Sequence, residues 1–183
     1  GEQVEYTSQS VVCRAEIQGD TGFMMDSSYD RKFRDFLFEN MERNSRVKGE
    51  DNGTLIFTSG VFAKPDIRKV ESRILKADQS NTAIIYGDQY FFKFYRKIEK
   101  EINPDLEIIK FLSEHTRFSH SPKFAGSVQY HDKDDRTIVF GLLQEKVANE
   151  GDAWVMTMNS ITHYYDAVLT TFKDTTFPPL VDN

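Results

Sequence analysis

The sequence predicts an α+β fold in which an antiparallel sheet carries a packed helix, and three observations point there. Thr82–Tyr86 and Tyr90–Tyr95 are rich in β-branched and aromatic residues, and Gly87-Asp88 between them has the composition of a two-residue hairpin turn. Asn103 followed by Pro104 is a helix start: Asn caps the free amides, and proline costs nothing at a first position whose amide hydrogen is unpaired anyway. A second antiparallel pair, roughly Phe124–Gln129 and Thr137–Leu143, is joined by a polar turn running from His131 to Arg136.

The elements before these are read in chain order. Val11–Ile17 is strand-like, and Ser27 with Asp30 has the spacing of a capping box, so a helix is expected from there. Phe33, Phe36, Leu37 and Met41 recur at helical spacing, and Lys48 to Gly53 is a breaker run before a strand at Thr54–Phe57. A boundary is placed near Lys64-Pro65. Beyond the hairpin, Ile108, Ile109 and Leu112 are expected to form the buried stripe of the Asn103-capped helix, and the apolar strand Ile138–Leu143 is expected to be central. The last third reads as one amphipathic helix capped by Asp152, with Trp154, Met158, Ile161, Tyr165 and Leu169 on one face. That aromatic stripe is read as core before it is read as a sugar platform.

Composition excludes several classes. With 183 residues, 39% hydrophobic and 13% aromatic, the chain has the material for a core and none of the signature of disorder. A net charge of −6 leaves no broad basic surface for a nucleic-acid backbone, so no nucleic-acid partner is expected. The single cysteine, Cys13, forms no internal disulfide, and no apolar run approaches the roughly 20 residues of a membrane span, so a cytoplasmic protein without a membrane partner is expected. His115, His120, His131 and His163 have no metal-ligand spacing and are read as surface residues.

The chemistry begins at Lys93. An ammonium between aromatics in an expected central strand is costly to bury unless it meets an anion. Glu107, in the first turns of the next helix, is the expected partner, and a strand lysine paired with a helix glutamate is how protein-kinase-like folds hold nucleotide phosphates. On composition alone a lysine snorkelling at a sheet edge and a glutamate answering the helix dipole stays the simpler reading.

The order of elements shifts that balance: polar loop, hairpin, lysine, helix, two strands, then the polar run Gln144 to Val147. The segments Asp78-Gln79-Ser80-Asn81-Thr82, Lys93-Phe94-Tyr95-Arg96, Asn103-Pro104-Asp105-Leu106-Glu107 and Gln144-Glu145 through Asn149-Glu150-Gly151-Asp152-Ala153-Trp154 closely resemble the bacterial maltokinase family. The resemblance covers nearly the whole chain, more weakly before residue 65. The family usually has Glu at the place of Asp78 and a second Gly at that of Ala153.

The resemblance implies a fold similar to the aminoglycoside phosphotransferases: a cap subdomain over 1–64, a kinase-like N-lobe over 65–150, and a linker helix opening the C-lobe over 151–183. It implies ATP and Mg²⁺ as cofactors, maltose as acceptor, and a parent often fused to trehalose synthase. Gln79, Ser80, Asn81 and Thr82 would form the phosphate loop, which on its own residues reads as an ordinary polar turn. Lys93 would reach the α- and β-phosphates with Glu107 fixing it, and Gln144, Glu145, Lys146 and Val147 would be the hinge whose main chain reads adenine. No His-Gly-Asp catalytic loop or later metal motif occurs in the sequence, so the chain is expected to be the N-terminal portion of such an enzyme, inactive alone, with catalytic residues and metal ligands in the C-lobe. The competing reading is a non-catalytic module that packs against a partner domain or carbohydrate.

Overall fold

The computed structural model describes residues 10–60, 70–77, 81–98, 103–134, 136–151 and 153–171. The chain divides into two compact units, Gly1–Val147 and Ala148–Asn183. The architecture is α+β, with one large antiparallel sheet and three helices.

The first unit opens with an antiparallel pair, β1 (Val11–Ile17) and β2 (Asp20–Met25), joined across Gln18 and Gly19, both at positive φ. β2 is not evident in the sequence, because Asp20 and Gly22 disfavour a strand and the pair is mostly exposed. A 3₁₀ turn at Ser27–Tyr29 comes next, capped by Asp26, whose carboxylate accepts from the Ser28 amide and hydroxyl. The helix α1 (Arg31–Glu42) therefore starts later than expected: Asp30 is its N-cap and accepts from the Lys32 amide, in place of the reciprocal Ser27/Asp30 box.

Seven strands make the large sheet: β3 (Arg46–Lys48), β4 (Thr54–Ser59), β5 (Ser72–Ala77), β6 (Asn81–Tyr86), β7 (Tyr90–Tyr95), β8 (Phe124–His131) and β9 (Thr137–Glu145). Their spatial order is β3-β4-β8-β9-β7-β6-β5, every pair antiparallel. The apolar β9 lies at the middle of that order, as its sequence requires. The β6–β7 connection has three residues, since Tyr86 faces Tyr90, and Gly87 sits at φ +56°. At Gly141 the sheet needs the absence of a side chain: a Cβ there would stand 2.3 Å from the Phe92 ring.

Two helices cover opposite faces. Leu37, Phe38 and Met41 of α1 meet Phe57, Ile84, Tyr86, Phe92, Val128 and Leu143 on one face. On the other face α2 (Pro104–His115) places Leu106, with Ile109 beside it, against Tyr95, Phe124, Val139 and Leu142. Asn103 caps α2 by accepting from the Asp105 and Leu106 amides. The inward stripe is Leu106 and Ile109; Ile108, expected in it, is 56% exposed, because burying residue 106 turns residue 108 outward at 100° per residue. Residues 46–59 are built into the same large sheet, since β3 pairs with β4 and β4 with β8, while the expected boundary at Lys64-Pro65 lies outside the described residues.

Arg34 is a buried cation with neutral partners. Its Nε donates to Ser72 Oγ at 3.0 Å, and its Nη1 to the Ser28 carbonyl at 2.9 Å. Tyr86 Oη donates to the Arg34 carbonyl at 2.8 Å. Burial, opposed by the Arg34 charge, pushes the Tyr86 phenol far above its ordinary 10.0. The unfolded chain releases that proton near 10 and the folded chain keeps it, so stability is full below 10 and falls above it. We expect a loss of up to about 1.4 kcal/mol per pH unit from this tyrosine. Urea midpoints measured between about pH 8 and about pH 11 should fall less steeply in Tyr86→Phe than in the parent.

In the second unit α3 (Ala153–Thr171) forms over the expected residues, and Asp152, its expected cap, lies outside those described. None of its residues is buried, and Trp154 is 71% exposed, so the aromatic stripe read as core is exposed.

Candidate functional site

Alternation along β7 sets the site. Phe92 and Phe94 pack toward α1, whereas Lys93 and Tyr95 lie on the α2 face. The Lys93 Nζ stands 2.9 Å from Asp105 Oδ2, with 29% of the lysine side chain and 50% of the aspartate side chain exposed. Tyr95 Oη donates to the same oxygen at 3.4 Å. Burial first, then the Asp105 carboxylate, raises the Tyr95 phenol far above its ordinary range and keeps it a donor. The partially exposed cation thus has the helix carboxylate that its setting demanded.

That carboxylate is Asp105, and the expected pairing with Glu107 is corrected. With Leu106 turned into the core, Asp105 lies on the β7 side of the first helical turn, where the helix dipole favours an acid. Glu107 instead lines a groove of about 370 Å³ together with Lys110, Phe111, His115, Gln129 and Val139.

The expected phosphate loop divides by face. Gln79 and Ser80 lie outside the described residues. Asn81 pairs with Tyr95 and shares the Lys93 face, half-buried. Thr82 pairs with Phe94 on the α1 face, is fully buried, and its hydroxyl accepts from Arg96 Nε at 2.8 Å. Arg96 also pairs with Asp26, so Thr82 belongs to a brace between β7 and the 3₁₀ turn, and its hydroxyl is turned away from any ligand beside Lys93.

The hinge residues are similarly sorted. Gln144 and Glu145 end β9, and Lys146 and Val147 follow it. Two of the amides expected to read a base are already used: Glu145 N donates to the Lys123 carbonyl and Lys146 N to the Gln89 carbonyl, both at 2.8 Å. The Lys146 ammonium reaches Asp88 at 3.5 Å, pinning it to the β6–β7 turn.

Register brings the remaining groups into line on one face. Asn81 is opposite Tyr95, Ala83 and Leu142 flank Lys93, and Gln144 is opposite Phe91. Successive positions two residues apart are roughly 7 Å apart along a strand, so Asn81, Lys93 and Gln144 follow one another at about that interval. Ala83 stands half-buried beside Lys93 on that face. Sequence reasoning passed over Asp105 although it stands two residues beyond the cap, and the acid-rich first turn was the signal that could have found it.

No protein-family model matches the chain. Among the described residues, no three His, Cys, Asp or Glu side chains converge as a metal site, and no helix is long and apolar enough to cross a membrane.

Proposed function

We propose that this chain is the nucleotide-binding part of an ATP-dependent sugar kinase of maltokinase type, which transfers phosphate from ATP to maltose. The observation that carries the reading is the Lys93–Asp105 clamp, set at the junction of a lysine strand and the next helix. Kinase-like folds use a strand lysine held by a helix glutamate at this junction to bind the α- and β-phosphates, and in this reading Asp105 takes the place of that glutamate. Support comes from the elements around it: β5 and β6 precede the lysine strand, α2 follows it, and β9 returns beside it and runs into Gln144 to Val147.

The residues present fit a nucleotide. Asn81 offers a polar group on the phosphate side of Lys93, and Gln144 lies on the opposite side toward the hinge. The proposal assigns Mg²⁺ to none of the described residues, nor the carboxylate that deprotonates the sugar hydroxyl; these belong to a C-lobe that α3 would begin, in a parent of the trehalose synthase fusion type.

Titrating the chain with Mg-ATP by calorimetry tests this. One saturable site per chain is expected, without phosphorylation of maltose. A flat titration would remove the nucleotide reading and favour the non-catalytic module, for which the exposed Trp154, Ile161 and Leu169 of α3 would be the partner-facing side chains.

A further inference from the structure

Asp105 is fixed at its main chain and loose at its carboxylate. Its amide donates to the Asn103 cap at 3.0 Å, which sets the first helical turn, yet half of its side chain is exposed. A short carboxylate at an exposed helix start has several staggered orientations open to it, and the helix alone selects none that faces Lys93. A contact from across the strand–helix junction has to choose.

Tyr95 is placed to make it. It stands two residues beyond Lys93 on β7, and its ring packs in the cluster of Leu106, Phe124, Val139 and Leu142 with 8% of the residue exposed. A ring held that way carries its hydroxyl at a fixed point. That point lies 3.4 Å from Asp105 Oδ2, the oxygen that Lys93 Nζ meets at 2.9 Å. Burial keeps the phenol protonated well above neutral pH, so it stays a donor to the carboxylate. The separation is long for a hydroxyl donor, which makes its contribution modest.

We propose that Tyr95 is a positioning residue of the nucleotide site: its hydroxyl holds the Asp105 carboxylate against β7, and the carboxylate in turn aims the Lys93 ammonium at the phosphates. The inference rests on the nucleotide reading given above and adds to it a residue that itself touches no nucleotide. When a phosphate draws on the ammonium, Asp105 Oδ2 loses part of that partner, and the phenol is the donor that stays. Without it the acid turns toward water, and Lys93 gives up the preorganised direction that spares binding an ordering cost.

The test is calorimetry with Mg-ATP on the parent chain, Tyr95→Phe, Asp105→Ala and the double variant, with urea unfolding of each to show that the fold is kept. Phenylalanine preserves the ring and its packing and removes only the hydroxyl, whereas Asp105→Ala removes the acceptor outright. Tyr95→Phe should weaken Mg-ATP binding about threefold, the effect of one weak hydrogen bond acting through a neighbour. The double variant should bind as Asp105→Ala does alone, because a phenol that works through the carboxylate then has nothing to hold. A merely structural tyrosine gives a different pattern, in which the two losses multiply. That pattern, or an undiminished affinity in Tyr95→Phe, would overturn the positioning role and leave the nucleotide site standing. Failure of the parent to bind Mg-ATP would remove the nucleotide reading and this inference together.

Discussion

Lys93→Met should abolish most of the affinity for Mg-ATP while leaving the fold in place. Removing one charged donor to a phosphate costs about 1.5–3 kcal/mol, or roughly tenfold to a hundredfold in Kd. The fold should survive because the Lys93–Asp105 pair is partly exposed, at 29% and 50%, and such pairs contribute at most about 1 kcal/mol of stability. Asp105→Asn should weaken nucleotide binding by a smaller factor, since the ammonium stays but loses the carboxylate that holds it. Glu107→Gln should leave the affinity unchanged, because Glu107 faces the groove beside Phe111 and not Lys93. Calorimetry on the three variants decides between the acids: a loss in Glu107→Gln equal to that in Asp105→Asn would restore the family's expected pairing. A Lys93→Met variant with undiminished Mg-ATP affinity would leave Lys93 as an ordinary sheet lysine.

Much of this arrangement was legible in the residues. Gly87 marked the turn between β6 and β7, and Asn103-Pro104 marked the start of α2, because both signals are local and steric. That Lys93 would need an acid also followed locally, from aromatics on both sides of a charge. Which acid it takes did not, since the rotation of α2 about its axis is set by Leu106 and Ile109 packing on Tyr95, Phe124 and Leu142. The turn of Thr82 to the buried α1 face was available from strand parity alone: Asn81 and Thr82 are adjacent in β6 and must point to opposite faces. β5 escaped notice because Ser72, Arg73 and Lys76 interrupt its apolar residues at a sheet edge. The buried Gln144 oxygen and the buried Arg34 guanidinium were the least legible, because composition rules put Gln and Arg at the surface and only tertiary contacts override them.

Arg34→Met should be the most destabilising single change on the face behind the site. Arg34 is 8% exposed and its guanidinium donates to Ser72 Oγ, the Ser72 carbonyl and the Ser28 carbonyl, so one side chain ties α1 to both β5 and the 3₁₀ turn. Methionine can fill the volume but leaves those oxygens without a donor, and losing charged hydrogen bonds to buried groups should cost about 3 kcal/mol. Lysine should recover only part of it, because a single ammonium cannot reproduce a planar fork that reaches two strand-end oxygens and a turn carbonyl together. Urea unfolding reads this directly as a lower midpoint with an unchanged slope. Since α1 packs on the face opposite Lys93, the Arg34→Met chain that remains folded should bind Mg-ATP as the parent does. A loss below about 1 kcal/mol would mean that water satisfies Ser28 and Ser72 as well as the arginine does, and that α1 is held by its Leu37, Phe38 and Met41 contacts alone.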